Sequence, residues 1–242
     1  MRALDGKTAL VTGAAGAIGG AVVREFTDAG ARVLAVDRAE ASVGDSYVAD
    51  VTQPRDVEAA FATALERYER LDVVFNGAGI SGRALGDGPV ETCSLEAWDA
   101  VLDANLKSAF LCCKHAIPAL RDSGGGAIII LGSVLGLVGA EDFQTHAYAA
   151  SKGGIVALTR AVAIAYAGDR IRCNAICPGL IETPMSERAR NDPHVRERLK
   201  ELQPLTGEPG SPEDVAEAAL YLASAPFVTG AVLPVDGGWT AR

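Results

Sequence analysis

The sequence predicts an α/β protein whose parallel sheet is doubly wound, with helices on both faces and three layers in all. Short apolar segments alternate along the chain with longer stretches of helical composition. The short segments are apolar almost throughout, which is typical of strands buried on both faces. This alternating order implies parallel strands joined by right-handed crossovers.

Six segments have the composition of buried strands, and five longer stretches have that of helices. The predicted strands are residues 8–11, 32–36, 72–75, 127–131, 171–176 and 231–235. The predicted helices lie near residues 17–29, 54–69, 94–122, 146–167 and 212–223. Thr52, Ser94 and Ser211 are suited to capping helix N-termini, and Gly30 suits a left-handed C-terminal cap.

The chain length favours one large domain. The 242 residues are 49% apolar, which is enough for a sizeable core. The least regular region is 179–210, which is rich in charge and contains four prolines. We therefore predict a single domain over residues 1–242, with a segment near 180–210 that acts as a substrate lid.

Composition and charge argue against several classes of protein. The net charge of −9 disfavours binding to nucleic acid or to an anionic membrane. There is no run of 18 apolar residues to span a membrane, and the N-terminus lacks the pattern of a signal peptide. The five cysteines form no Cys-x-x-Cys pair, and the three histidines lack metal-ligand spacing. We expect reduced thiols, a cytoplasmic protein and no metal.

A glycine-rich loop joins the first predicted strand to the first predicted helix. Its glycines leave room for a pyrophosphate beside the backbone. The helix N-terminus that follows offers free N–H groups and the positive end of a dipole. This position favours a dinucleotide site over a merely tight turn. The predicted cofactor contacts in the loop are Gly13, Ala15, Gly16, Ala17 and Ile18.

An acidic residue ends the second predicted strand. The Asp37 carboxylate can accept hydrogen bonds from the adenosine ribose, and it would repel a 2′-phosphate. No basic residue in the glycine loop offsets that repulsion, so NAD is favoured over NADP. The neighbouring Arg38 leaves NADP open, because its guanidinium could turn towards a phosphate. Its other roles would be a solvated charge or a stacking plane for adenine.

Further cofactor contacts are predicted at the ends of other strands, where ligands of open α/β sheets bind. Asp50 and Val51 follow an apolar segment and are expected beside the adenine. Asn76, Ala78 and Gly79 follow the third predicted strand, where small residues let the backbone pass close to the cofactor.

Tyr148 and Lys152 lie four residues apart in a predicted helix and therefore share one of its faces. An ammonium group beside a phenol favours the phenolate, so Lys152 is expected to lower the pKa of Tyr148. A tyrosine tuned in this way exchanges a proton with an alcohol or a carbonyl. An ordinary surface pair is the alternative for this motif taken alone.

Together and in this order, the motifs resemble those of the short-chain dehydrogenase/reductase family in its single-domain form, which has a Rossmann fold. The resemblance extends from Lys7 to Trp239. Two positions depart from the family pattern. The middle glycine of the loop stands at Gly16, with Ala17 in the usual place, and Gly77 stands where the family has an asparagine.

The resemblance implies a role for each matching residue. Tyr148 would be the catalytic acid/base, and Lys152 would support it and bind the nicotinamide ribose. Ser133 would orient the substrate, and Asn105 would hold a proton-relay water. The segment expected to contact the nicotinamide contains Pro178, Gly179, Ile181 and Thr183. Residues 235–238 resemble the part of the family fold that contributes to a homotetramer interface.

The implied reaction is hydride transfer between NAD(H) and a small-molecule secondary alcohol or ketone. The expected substrate is of modest size, and this class includes cyclic and sugar-like compounds. The loop 139–144 could face the substrate, and basic residues of 180–210 either recruit an anion or form an exposed charged helix. A NADPH-dependent 3-oxoacyl-[acyl-carrier-protein] reductase and a non-catalytic NAD-binding protein are the alternatives. Apolar residues expected near the pocket are Leu135, Leu137, Val138, Leu180 and Met185.

Overall fold

A computed structural model describes residues 2–241, in which a seven-stranded parallel sheet forms the centre of the molecule. The spatial order β3-β2-β1-β4-β5-β6-β7 reverses its direction between β1 and β4. This is the switch point at which doubly wound sheets bind ligands. The predicted Rossmann fold is confirmed. The strands are β1 (Thr8–Thr12), β2 (Arg32–Asp37), β3 (Asp45–Val48), β4 (Val73–Asn76), β5 (Gly126–Leu131), β6 (Ile171–Pro178) and β7 (Val232–Val235).

Helices cover both faces of the sheet and give the molecule three layers. Successive strand residues point to opposite faces, so Leu10 packs in the core under α2, α4 and α5, and Val11 packs in the core under α1 and α8. The helices are α1 (Ala17–Asp28), α2 (Pro54–Tyr68), α3 (Leu95–Leu102), α4 (Ser108–Asp122), α5 (His146–Ala165), α6 (Glu187–Asn191), α7 (Pro193–Leu202) and α8 (Pro212–Ser224).

All six predicted strands are present, but β3 is a strand that the sequence analysis missed. It pairs with β2 alone at the edge of the sheet. Asp45 and Val48 at its two ends are exposed, and the residues between them are only partly buried. An edge strand of this composition lacks the continuous apolar run by which the buried strands were recognised.

Three of the four predicted helix caps are confirmed. Ser94 and Ser211 each accept a hydrogen bond from the first turn of their helix, and Gly30 has a φ of +100° directly after the C-cap of α1. The prediction for Thr52 is wrong, because its hydroxyl donates to the Asp50 carboxylate instead of capping α2.

Two regions differ in secondary structure from the prediction. The helix expected over 94–122 is interrupted by a π-helical turn, Asp103–Lys107, between α3 and α4. The region 180–210, expected to be irregular, contains α6 and α7. Pro193 lies in the first turn of α7, whose N-cap, Asp192, accepts hydrogen bonds from two backbone N–H groups. Proline therefore starts a helix here.

Within residues 2–241, no helix combines the length and the apolar character needed to span a bilayer. The same residues contain no group of three His, Cys, Asp or Glu side chains placed to hold a metal ion. Four of the five cysteines are buried, and Cys93 is partly exposed.

Candidate active site

A cavity of about 1000 Å³ opens at the carboxyl edge of the sheet, above the switch point. It brings together most of the residues that were selected from the sequence, and these lie at the ends of six different strands and on helix α5. Asn76 and Asn105 are outside its lining. The predicted residues that line it are Gly13, Ala15, Gly16, Ala17, Ile18, Asp37, Arg38, Asp50, Val51, Ala78, Gly79, Ser133, Tyr148, Lys152, Pro178, Gly179, Ile181 and Thr183.

The glycine loop has the close packing that a pyrophosphate cradle requires. Gly13 has a φ of +73°, and a Cβ there would lie 2.7 Å from the backbone carbonyl carbon of Gly77. A Cβ at Gly19 would lie 2.0 Å from the Gly13 carbonyl oxygen. Gly16 is the N-cap of α1 and brings no side chain to occupy the helix terminus. The loop therefore has room for a dinucleotide. Ala17, which replaces the usual glycine, is the first residue of α1 and its small side chain does not fill this space.

The Asp37 carboxylate connects the end of β2 to the glycine loop. One oxygen accepts a hydrogen bond from the Ala15 N–H at 3.0 Å, and the other accepts from the Arg38 N–H at 2.6 Å. Arg38 itself is exposed at the rim of the cavity. A carboxylate is therefore fixed where the ribose of a bound adenosine would lie.

Asp50 lies in the same part of the cavity and is kept ionised. A hydrogen bond from the Thr52 N–H is the main reason that the pKa of Asp50 is lowered, and the charge of Arg38 acts in the same direction. Val51 beside it is buried. Asp50 and Val51 therefore form one wall of the cavity, where an adenine edge is predicted from the sequence.

Asn76 does not line the cavity, although it is one of the predicted cofactor contacts. Its side chain is buried behind the glycine loop, and its Oδ1 accepts a hydrogen bond from the Thr12 hydroxyl at 3.1 Å. Its Nδ2 has no partner among the described residues. The role visible for Asn76 is to join the carboxyl ends of β1 and β4.

Three predicted catalytic side chains converge at the opposite end of the cavity. The Lys152 Nζ donates to the Leu131 carbonyl at 2.7 Å and lies 5.5 Å from the centre of the Tyr148 ring. Ser133 follows β5 directly, and its hydroxyl accepts from the Leu135 N–H at 3.2 Å. Helix α5 presents Tyr148 and Lys152 on one face, so the i, i+4 spacing acts as predicted.

The pKa of Tyr148 is shifted in the direction opposite to the prediction. Desolvation of the phenol among protein atoms raises its pKa, and a hydrogen bond with the Ser133 side chain lowers it by less. Desolvation also lowers the pKa of Lys152 to about 8. The ammonium group bonds to a carbonyl and lies over the ring, so it does not contact the phenol oxygen directly.

Asn105 lies behind the cavity wall, in the π-helical turn. Its Oδ1 accepts from the Ile80 N–H at 2.8 Å, and its Nδ2 donates to the Ile80 carbonyl at 3.1 Å and to the Ser151 hydroxyl at 3.0 Å. Both amide protons are therefore used within the protein. The side chain ties the segment after β4 to helix α5, and the role in holding a water molecule stays a prediction.

The sequence analysis missed Asp87, which holds the start of helix α5. The carboxylate is buried, with 3% of the residue exposed, and its two oxygens accept from the N–H groups of Ala147 at 3.0 Å and Tyr148 at 2.9 Å. Thr145, the N-cap residue by position, makes no capping hydrogen bond with its side chain. A residue 60 positions away thus does the work of a local cap, and no local pattern could have revealed it.

Replacing Asp87 with alanine is expected to lower the free energy of unfolding by about 1–2 kcal/mol, because two N–H groups at the start of α5 lose their acceptor. Chemical denaturation of the purified protein measures this loss. Thr145→Val is the matched control, since it removes the hydroxyl at the N-cap position and keeps the shape. Equal stability of Asp87→Ala and wild type would contradict the capping role.

The residues that line the substrate end of the cavity agree in part with the prediction. Leu135, Leu180 and Met185 line it, whereas Leu137 and Val138 do not. Phe143, from the loop expected to face the substrate, also lines it and packs against Trp239 with ring centres 5.3 Å apart. Lining residues that the sequence analysis did not place there are Ser81, Arg83, Leu85 and Trp239.

The fold and the cavity are typical of a nucleotide-dependent oxidoreductase, and comparisons with known proteins agree with this class. Residues 13–240 match the family model described as enoyl-(acyl carrier protein) reductase. The chain is 36% identical to 2-(R)-hydroxypropyl-CoM dehydrogenase of Xanthobacter autotrophicus, over 97% of this chain and 99% of that protein. It is 38% identical to the 3-oxoacyl-[acyl-carrier-protein] reductase of Thermotoga maritima, over 97% of this chain and 98% of that protein.

The crystal structure of levodione reductase has the same fold, with a TM-score of 0.90 and 31% identity over 99% of each chain. The chain therefore belongs to the short-chain dehydrogenase/reductase family, and it is an oxidoreductase of the alcohol dehydrogenase type.

Proposed function

We propose that this protein is an NAD(H)-dependent dehydrogenase that interconverts a secondary alcohol and the corresponding ketone. The observation that carries the proposal is the meeting of Tyr148, Ser133 and Lys152 at one end of a cavity whose other end holds Asp37 and the glycine loop. When bound, a nicotinamide cofactor supplies the hydride acceptor or donor. The relative that acts on a hydroxypropyl group supports a secondary alcohol as the substrate.

The residues of the chain handle the proton and the substrate oxygen. In oxidation the alcohol loses its carbon-bound hydrogen as hydride and its hydroxyl proton to the Tyr148 phenolate. In reduction the Tyr148 phenol returns that proton to the carbonyl oxygen. Ser133 hydrogen-bonds the same oxygen and stabilises the charge that develops on it. Buried Lys152 provides a positive charge beside the Tyr148 ring.

The preference for NAD over NADP is supported by the Asp37 carboxylate. The Ala15 N–H holds this carboxylate at the expected ribose position, where its negative charge would repel the 2′-phosphate of NADP. Exposed Arg38 is the one basic residue among the cavity-lining residues next to it.

The proposal is tested by initial rates with NAD and with NADP against secondary alcohols, diols, polyols and hydroxy acids. Reduction of the corresponding ketones with NADH and NADPH is measured in parallel. Turnover of one class with NAD is the expected result. Turnover with NADP alone would contradict the cofactor assignment. Tight NADH binding without turnover of any compound would favour the non-catalytic NAD-binding protein.

The pKa shifts predict different pH profiles for the two directions. Burial raises the pKa of Tyr148, so its phenol is protonated near neutrality and the phenolate is scarce. We expect kcat/KM for alcohol oxidation to rise by up to about tenfold per pH unit between about pH 6 and 8, where the base form is limiting. Ketone reduction uses the phenol and should stay nearly constant there. A flat profile for oxidation would contradict the assignment of Tyr148 as the base.

A 3-oxoacyl-[acyl-carrier-protein] reductase is the second candidate, favoured by the 38% identity to such an enzyme. That function calls for NADPH and for a basic surface that docks an acidic carrier. Asp37 at the ribose position and the net charge of −9 oppose it. Rates with acetoacetyl-CoA and NADPH, compared with the best alcohol and NAD, distinguish the two candidates.

We further propose that residues 180–210 form a lid on a single domain. The two ends of this segment are paired by a bridge between Ile181 and Gly210, and α7 packs in a small core with Trp239. Buried Gln203 ties α7 to the end of β6, because its side chain bonds both the N–H and the carbonyl of Leu180. Ala189 of α6 is buried in the same small core, so the segment packs over the cavity as one unit.

A homotetramer and a cytoplasmic location complete the proposal. Helices α4 and α5 carry exposed apolar side chains, Phe110 with 51% and Ile164 with 79% of their surface accessible, which a partner subunit would cover. Sedimentation equilibrium measures the subunit number directly.

The cysteines support the cytoplasmic location, because five unpaired thiols suit a reducing compartment.

A further inference from the structure

Two arginines at the substrate end of the cavity are not used by the proposed reaction. Arg83 and Arg188 both line the cavity, although they lie 105 positions apart in the chain. Neither guanidinium makes a side-chain hydrogen bond or a salt bridge in the part of the chain that the structure describes. The charge of Arg188 disfavours the charged form of Arg83, so the two guanidinium groups lie near one another.

The backbone that presents Arg83 is tightly constrained. It begins a short 3-10 turn, Arg83–Leu85, flanked by Gly82 with a φ of +72° and Gly86 with a φ of +99°. A Cβ at Gly82 would lie 2.1 Å from the Val101 side chain, so a larger residue does not fit there. The N–H groups of Leu85 and Asp87 both donate to the Gly82 carbonyl. The turn therefore holds Arg83 at the cavity mouth.

Arg188 differs from three other basic residues of the 180–210 segment, which form ion pairs. Arg190 bonds to Glu182, Arg198 to Asp142 and Glu201, and Lys200 to Glu197. These pairs form the exposed charged surface that was one of the two sequence-based alternatives. Arg188 lines the cavity instead, beside Ala189, which is buried in the small core of the segment.

The acidic groups near the two arginines are already engaged. Asp87, whose charge acts on Arg83, uses both carboxylate oxygens to hold the start of α5. Asp103, the other acid at this end of the cavity, is paired with Lys107. Desolvation and the charge of Arg188 lower the pKa of Arg83, and the charge of Asp87 raises it by less. Such a positive site is notable in a chain with a net charge of −9.

We propose that Arg83 and Arg188 form an anion subsite that binds a terminal carboxylate or sulfonate of the substrate while Tyr148 and Ser133 hold its reacting oxygen. Planar guanidinium groups recognise such oxyanions by paired, charge-assisted hydrogen bonds. The inference rests on the proposed function and names its substrate class: a hydroxy acid or keto acid, or the sulfonate equivalent. The apolar wall of Leu135, Phe143 and Leu180 would contact the carbon skeleton between the two ends.

The test uses cyclohexanecarboxylate and its uncharged, similarly shaped amide as inhibitors of oxidation of the best neutral alcohol. The carboxylate should compete with the alcohol and have a Ki about tenfold lower than that of the amide. Arg83→Gln and Arg188→Gln should each raise the Ki of the carboxylate several-fold, and the double variant should remove its advantage. The readout is the ratio of the two Ki values within each variant, so any general effect of a substitution on the cavity cancels.

Arg196→Gln is the matched control, because Arg196 is an exposed arginine of α7 that does not line the cavity. Equal inhibition by the carboxylate and the amide in the wild type, or an advantage that persists in the double variant, would overturn the subsite. Calorimetric titration of the protein with the same two compounds reads binding without turnover. Charge-selective binding that depends on both arginines would then support the subsite even if no alcohol is oxidised, which separates its failure from that of the proposed function.

Discussion

The Tyr148→Phe variant is expected to lose about 10²- to 10⁴-fold in kcat in both reaction directions, while it still binds NADH. The substitution removes only the hydroxyl that exchanges the proton. The ring remains, so the contact with Lys152, whose Nζ lies 5.5 Å from the ring centre, is preserved. Single-turnover and steady-state rates measure the chemical loss, and a fluorescence titration with NADH shows whether the cofactor site is intact.

Tyr166→Phe is the matched control for this experiment. It removes the same hydroxyl at the other end of helix α5, where the ring packs under Arg121 and faces no part of the cavity. Near-normal turnover of Tyr148→Phe with intact NADH binding would exclude the tyrosine acid/base. A loss of NADH binding together with activity would instead point to a structural role for the hydroxyl.

The Asp37→Ser variant is expected to lose about ten- to a hundredfold in kcat/KM with NAD, because a charged acceptor for the ribose hydroxyls is removed. The same change should raise kcat/KM with NADP, since the carboxylate no longer repels a 2′-phosphate. The ratio of the two constants therefore changes by more than either constant alone. Initial rates with both cofactors at a saturating alcohol concentration measure it.

The Arg38→Gln variant distinguishes the effect of Arg38 on cofactor preference from that of Asp37. By itself it should leave the preference for NAD in place, because Asp37 remains bonded to the Ala15 N–H. Combined with Asp37→Ser, it should reduce the gain with NADP if the guanidinium contacts the phosphate. An unchanged cofactor ratio in Asp37→Ser would show that Asp37 serves only to connect β2 with the glycine loop.

The sequence predicted the fold where burial imposes a strong pattern. Strands covered on both faces must be apolar throughout, so β1, β5 and β6 were recognisable without structural information. Strand β3 was not, because an edge strand meets weaker demands on its side chains. The π-helical turn at Asp103–Lys107 and the helices in 180–210 also lacked a distinctive local pattern.

The candidate site was predictable where its chemistry is written as a local motif. The glycine loop, Asp37 and the Tyr148–Lys152 pair each depend on spacing within one element or one turn, and all line the same cavity. Asn76 and Asn105 were assigned by position in a motif, yet both point away from the cavity to bond other parts of the backbone or side chains. A motif shows where a residue lies along an element, but it does not show which way the side chain turns.

The sequence by itself determined the order of the buried strands and the main helices, the glycine loop and the Tyr148–Lys152 pair, because these depend on interactions between residues near one another in the chain. Only the tertiary structure decided what distant segments do to one another. Asp87 caps a helix that begins 59 residues later, and Arg83 and Arg188 line one cavity although they lie 105 positions apart. The direction of the pKa shift of Tyr148 belongs to the same group, because desolvation is set by everything packed around the phenol rather than by the lysine four residues away.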